Sequence, residues 1–442
     1  MLKAQQKATI DAAVEAPPGN TGRPTKRRYW VVFLLCIMYL ITYMDRTNLS
    51  IAAPLISSEF HFDKIKMGVI FSAFSWSYAA FQVPCGAIGD RYGARRILGI
   101  FVLYWSALTT AIVGARTATS FWFARFFFGI GEAGAFPTAT RAMTHWTPPT
   151  ERGIAQGLTH SFSRLGAAIT PPATVWITSR WGWRGAFLFF GALGTGWAIA
   201  WMVSYRDTPR EDLKVNAAEM AIISPHADQP HSRPRLSWML LLKSGNMWAI
   251  NLQYFAYGYS LWFYLTWLPT YFVDVRHFSY PKTGLYASIP FIAGMAGDTL
   301  GGWLCDYVGK RTGNLRLSRG GVGAVAMAAA VVFLIPGALT GQAGLAVVYL
   351  SVAFFFLEMN IGPAWAVVMD VGGRNAGAVS GMMNMCGSFA GALSPIIFAA
   401  AWDKTGSVVV PFFISGALMA VGALAWFFVD PARPVPEPIC EV

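Results

Sequence analysis

Long apolar runs alternate with short polar breaks along this chain, and that pattern predicts its architecture. Twelve stretches of about 20 mostly apolar residues, the length a helix needs to cross a bilayer, begin near residues 30, 67, 97, 121, 154, 184, 247, 283, 320, 344, 376 and 408. They are rich in Gly, Ala and Phe and lack period-two alternation, which predicts an all-α membrane protein rather than a β-barrel. Between 205 and 243 the apolar character lapses into a stretch rich in charge, Pro and His. The expected order is a polar N-terminal tail (1–28), a six-helix bundle (29–204), a linker (205–243), a second six-helix bundle (244–429) and a polar C-terminal tail (430–442).

Motifs recur across the linker. "GAIGDRYGARR" (86–96) returns as "GWLCDYVGKRT" (302–312), "EAGAFP" (132–137) as "EMNIGP" (358–363), and "GLTHSFSRLGAAITPP" (157–172) as "GMMNMCGSFAGALSPI" (381–396). Offsets of 216, 226 and 224 residues lie close to half of the 442-residue chain. The bundles are therefore expected to be pseudo-repeats, with a shared site where they meet near the bilayer midplane.

Composition agrees: 55% of residues are hydrophobic and 13% charged, against about 25% charged in a soluble domain. A net charge of +12 raises the question of nucleic acid, but the placement of the charges rejects it. With the N-terminus inside, 23 of the 34 Lys and Arg fall on the cytoplasmic side, eight on the other, and three (Arg46, Arg125, Arg164) within helices. This bias predicts that both termini are cytoplasmic. No short apolar core with a cleavage site precedes residue 29, so the first apolar run is expected to remain as a helix. The five cysteines show no metal-like spacing, and no nucleophile–base pair is evident, so no metal, cofactor or enzymatic activity is expected. "GIGEAG" resembles a glycine-rich fingerprint but lies in mid-membrane with no preceding strand.

The chemistry lies in charges that interrupt the apolar runs. "YMDRTNLS" (43–50) puts Asp45 and Arg46 inside the first helix; Arg125 and Glu132 lie in the fourth and Arg164 in the fifth. An ionised group at a helix centre costs about 2.5–3.5 kcal/mol on insertion scales, so these groups are expected to face a watery cavity or one another. Asp45 and Arg46 point about 100° apart, while Arg125 and Glu132 share a face with roughly 10 Å of rise between them. Arginine grips a carboxylate through two parallel hydrogen bonds and stays charged, whereas a carboxyl group in a cavity can exchange its proton as its surroundings change.

Arg164 has two open roles, a second anion clamp implying a dicarboxylate, or a partner for Glu132. Tyr43, Tyr78, Gln82, Asn360, Trp365, Asn384 and Ser388 are candidates for the cavity wall and for substrate hydroxyls. His160, at the repeat position of Asn384, is expected to pack. Glu358, the repeat counterpart of Glu132, and Asp298 are assigned no proton role; Gly362-Pro363 predicts a bend in the tenth helix. The competing reading is that the charged residues form static pairs that lock the helices together.

The set Gly86, Asp90, Arg91, Gly93, Arg95 and Arg96 resembles the loop signature of the major facilitator superfamily, and the resemblance runs from Tyr29 to Val429. Within it, "YMDRTNLSIAAPLI", "ARFFFGIGEAGAFP" and "LTWLPTYF" resemble the anion:cation symporter family, which includes bacterial sugar-acid transporters and relatives of sialic acid and vesicular glutamate carriers. The resemblance implies twelve transmembrane helices in two six-helix pseudo-repeats, in a bacterial inner-membrane protein expected to be monomeric. It implies proton-coupled symport of a small organic anion by alternating access, above all a sugar acid (aldonate, hexuronate or aldarate). Proton coupling then falls to Asp45 and Glu132 and anion binding to Arg46, with Arg125 pairing with the proton site. A cytoplasmic gate is implied at Asp90, Arg91 and Arg141, reaching the eleventh helix near Asn375, with Asp306, Lys310 and Arg311 as its counterpart. The alternatives are an anion exchanger, such as an organophosphate:phosphate antiporter, which needs neither carboxylate, and a non-transporting sensor.

Overall fold

The computed structural model describes residues 23–223, 238–372 and 376–434. Among them the long helices group into twelve rods, each starting within five residues of an expected start. The first bundle holds α1 (Arg27–Phe60), α2 (Lys64–Tyr92), α3 (Ala94–Ala111) and α4, built of Ala118–Ala133 and Ala135–Trp146. The run Pro149–Ser204 is two rods, α5 (149–181) and α6 (183–204), joined at Gly182. In the second bundle, α7 comprises Gly245–Thr266 and Leu268–Asp274, and α8 is Tyr280–Thr312. A π turn, Leu317–Gly321, opens α9 (Val322–Leu339), and α10 comprises Ala343–Met359 and Ile361–Gly372. Rods α11 (Ala376–Thr405) and α12 (Val409–Ala425) complete it.

Seven stretches are long and apolar enough by themselves to cross a membrane, and they include all or part of α1, α3, α5, α6, α9, α10, α11 and α12. The other four rods are cut by breaks (α4, α7) or carry much Gly, Ser and charged termini (α2, α8).

The repeat is visible in the backbone. Left-handed residues stand in matched turns: His61 and His277, Gly93 and Gly313, Gly182 and Gly406, at offsets of 216, 220 and 224. The helix breaks match too. A proline lacks an N–H and its ring clashes with the carbonyl four residues back. Pro137 accordingly ends the first part of α4 at Ala133, and Pro363 ends the first part of α10 at Met359.

Within the bundles α1 packs on α5 and α6, α2 on α4, α7 on α11 and α8 on α10. Two seams join the bundles, α2 against α11 and α5 against α8, and the repeat exchanges one for the other. Both use the same device near the end remote from the linker. A Cβ on Gly68 would stand 2.7 Å from the Pro395 carbonyl oxygen, and one on Gly284 would stand 3.1 Å from that of Pro171. Only glycine lets these helix backbones approach so closely. Lys64 over Trp402 extends the first seam, while Phe71 on Trp267 and Phe74 on Trp262 carry α2 onto the neighbouring α7.

The linker is more structured than its composition predicts, with short helices Ala217–Ile223 and Trp238–Lys243. It is tied to the base of α1: Arg27 pairs with Asp212 (2.7 Å), while Arg28 pairs with Glu219 (3.3 Å) and with Glu151 of α5 (2.9 Å).

Candidate functional site

Five charged side chains of the first bundle converge in its buried interior. Adjacent helical residues diverge, and on α1 that divergence gives Asp45 and Arg46 different neighbours. Arg46 reaches across to α4, where its Nε donates to Glu132 Oε1 and Oε2 at 3.1 and 3.0 Å. Its guanidinium sits within an aromatic box of Tyr43, Phe74, Tyr78 and Phe136, 4.9–5.4 Å from the ring centres. Asp45 turns towards Trp105 and Thr109 of α3, yet neither carboxylate oxygen has a hydrogen bond of normal geometry.

Arg125, two turns before Glu132, lies over Phe74 and Phe128 (5.2 and 4.8 Å). Among the described residues no carboxylate comes within salt-bridge distance of it, although the charges of Glu132 and Asp45 act on it from farther away. The family-implied pairing of Arg125 with the proton site is thus electrostatic rather than a direct bridge. Glu132 is held by Arg46 instead.

Of the two roles open to Arg164, partnership with Glu132 is not what the structure shows. Arg164 crosses the bundle boundary to Glu358 on α10, Nη2 to Oε2 at 2.7 Å. Tyr257 of α7 joins them, its hydroxyl donating to Glu358 at 3.2 and 3.3 Å and accepting from Arg164 at 3.4 Å. Arg164 also lies 5.4 Å from the Tyr43 ring centre, so one tyrosine is shared by two guanidinium groups. Glu358, assigned no proton role from sequence, therefore belongs to the site. Its signal was there: it precedes the break in α10 by the same two residues that separate Glu132 from the break in α4. Asp298 of α8 lies within electrostatic range of Arg164.

The polar wall divides. Tyr78 is buried and its hydroxyl accepts from Gln82 at 3.4 Å. Trp365 meets His160 (ring centres 6.2 Å apart), whose other neighbour is Tyr39, in keeping with a packing histidine. Asn384 is half-buried, and Ser388 spends its proton on the Asn384 carbonyl at 3.0 Å. Asn360 is corrected. Both ends of its fully buried amide are engaged inside the second bundle, donating to Gln253 (3.1 Å) and accepting from Trp426 Nε1 (2.8 Å), so it ties α10 to α7 and to the end of α12 rather than facing substrate.

At the proposed gate, the Asp90 side chain and Asn375 fall outside the described residues. Arg91 is exposed and lies over Tyr92 (5.3 Å); Arg141 is half-buried. Lys310 and Arg311 are exposed in the last turn of α8, and they are not the partners of Asp306. That carboxylate is instead 3.8 Å from Arg319 of the π turn, which bonds Asp370 of α10 at 2.9 Å. Arg319 was not singled out in the sequence because a lone arginine in a loop looks like one more positive-inside charge.

Buried charged groups are normally fully bonded, since an unsatisfied one keeps its whole desolvation cost. Here Asp45 Oδ1 and Oδ2, Arg46 Nη2, Arg125 Nε and Arg164 Nε are buried without partners. Such a set can receive an anion and a proton, and it holds no group of His, Cys, Asp and Glu fit for a metal among the described residues.

Known transporters are similar to this chain over most of its length. A probable sulfoacetate transporter of Cupriavidus necator is 43% identical over 415 residues, spanning 93% of this chain and 96% of that one. A hexuronate transporter of Bacillus subtilis is 32% identical over 404 residues (91% and 94%), and a probable galactarate/D-glucarate transporter of that organism is 32% identical over 421 (91% and 90%). A bacterial homolog of the human lysosomal transporter Spinster, solved inward-facing and unoccupied, superposes with a TM-score of 0.75 over 93% of this chain and 98% of its own. At 18% identity that is a likeness of fold. Residues 35–395 match the Major Facilitator Superfamily model, and with twelve rods in two matched bundles around a buried charged centre, the chain belongs to that superfamily.

Proposed function

We propose that this protein is a secondary transporter that carries an organic anion together with protons by alternating access. We place it in a bacterial inner membrane with both termini cytoplasmic. The observation that carries this reading is the Arg46–Glu132 pair, buried and incompletely satisfied, beside an Asp45 with no bonded partner.

A pair of this kind is a switch if its carboxylate can take a proton. Protonation of Glu132 removes the negative charge that holds Arg46, and the guanidinium fork then accepts a carboxylate or sulfonate in its place. Deprotonation restores the pair and expels the anion. Asp45 is a second proton acceptor, and Arg125 places a positive charge within electrostatic range of both carboxylates. Rocking of the bundles about the two seams would expose the site to each side in turn. Relatives named for hexuronate, galactarate and sulfoacetate transport share a small substrate with at least one permanent negative charge. A sugar acid or a sulfonated acid of similar size is the substrate class we assign. Tyr78, Gln82 and Asn384 are the proposed hydroxyl partners.

Uptake into proteoliposomes of gluconate, glucuronate, galactarate and sulfoacetate, with and without an inward proton gradient, tests this directly. At least one should accumulate only with the gradient. Asp45→Asn and Glu132→Gln should each lose uphill accumulation while exchange across preloaded vesicles survives. Undiminished accumulation by both variants would refute the proton assignment, and gradient-insensitive uptake by the native protein would favour an exchanger.

A further inference from the structure

We propose that Arg46 and Arg164 form a two-point clamp for a dianion, with Glu132 and Glu358 as the resident counter-ions that the substrate's two acidic groups replace. This rests on the anion-transport reading and names its substrate class more narrowly.

Each arginine is buried, pairs with one carboxylate and retains an N–H without a partner: Nη2 on Arg46, Nε on Arg164. The two carboxylates occupy repeat-equivalent positions, Glu132 in the first bundle and Glu358 in the second. Once Glu132 and Glu358 have each taken a proton, a substrate with two negative charges compensates both arginines and leaves no buried ion unpaired. A monoanion would satisfy only one.

Geometry limits the length of such a substrate. The guanidinium carbons lie 5.0 and 5.4 Å from the centre of the same Tyr43 ring, so they are at most about 10 Å apart. A bidentate pair holds the guanidinium carbon about 4 Å from the central atom of the acid group. At the limiting separation the Tyr43 ring lies between the two guanidinium groups, so a substrate that grips both passes beside the ring, and a bent grip of this kind suits acidic centres a few carbons apart. An extended six-carbon diacid would have to be held side-on. The clamp therefore favours short dianions, either dicarboxylates or sulfonate–carboxylates. Arg164 also draws α5 of one bundle to α10 of the other through Glu358, so its occupancy by substrate would replace a link between the bundles.

The test measures binding to the full-length protein in detergent, by thermal shift and by competition for uptake in proteoliposomes. The probes are dicarboxylates from malonate to adipate and the corresponding sulfonate–carboxylates, each against the monomethyl ester of its carboxylate. The native protein should prefer at least one short dianion over its ester by about tenfold or more, with preference falling as the chain lengthens. In the double variant Arg164→Gln/Glu358→Gln, which removes both members of the ion pair together, that ratio should fall towards one. Arg164→Lys should retain part of it. Equal affinity for diacid and ester in the native protein overturns the clamp but leaves anion transport standing, as does full preference in the double variant. Failure to bind or move any anion overturns both.

Discussion

The two bundles share a backbone plan but divide the chemistry unequally. Turns, breaks and seams recur at nearly constant offsets, down to a glycine facing a proline carbonyl on each seam. The first bundle, however, carries Asp45, Arg46, Arg125, Glu132 and Arg164 in its interior, whereas the second answers with Glu358, Asp298 and a wall of aromatic rings and hydrogen-bonded amides. The comparison teaches that symmetry is kept at the seams between the halves, where the proposed rocking would need matched surfaces. It is abandoned where one side must hold ions and the other must cover them.

The comparison can be broken most severely at Arg46. Arg46→Ala leaves Glu132 buried and unpaired, a defect worth about 3–5 kcal/mol when a buried pair loses one member. Anion binding should vanish from thermal-shift titrations. Combining it with Glu132→Gln should restore the melting temperature but not binding; recovery of binding in that double variant would remove Arg46 from the anion site.

An intermediate effect is expected at the seams. Gly68→Val and Gly284→Val push side chains into opposing helix backbone at equivalent positions, and each should cut the uptake rate while binding in detergent persists. Equal damage at both would sharpen the view that the seams are interchangeable hinges. Damage at only one would show that just one of them moves.

The smallest effect belongs to Asn360→Ala. Loss of its bonds to Gln253 and Trp426 leaves buried groups unsatisfied at about 1–3 kcal/mol each. The melting temperature should fall by several degrees without change in the apparent KM. A raised KM with unchanged stability would return Asn360 to the cavity wall.

Much of this was legible before the structure. Helix number, starts and the repeat follow from apolar run length and motif offset, which are local properties. The bend in α10 was expected from Gly362-Pro363, because proline acts on its own helix; its twin at Pro137 in α4 was not singled out, and α1, α2, α5, α8, α9 and α11 hold prolines without a break. The partners of Arg46 and Arg164 were not legible. Helical phase says in which direction a side chain leaves its rod, but not which rod stands there. Asn360 shows the same limit, since its place beside Glu358 in the sequence gave no sign that it turns towards Trp426 instead of the site.

The sequence alone determined that this chain spans a membrane as duplicated helical bundles and that it carries ionisable groups where lipid would not tolerate them, because both are readable from the free energy of transferring residues one at a time. Only the tertiary structure decided that Arg46 meets Glu132 and that Arg164 reaches Glu358 in the other bundle. Pairing between ions depends on inverse distance, and distance between helices is set by packing that no single run of residues encodes.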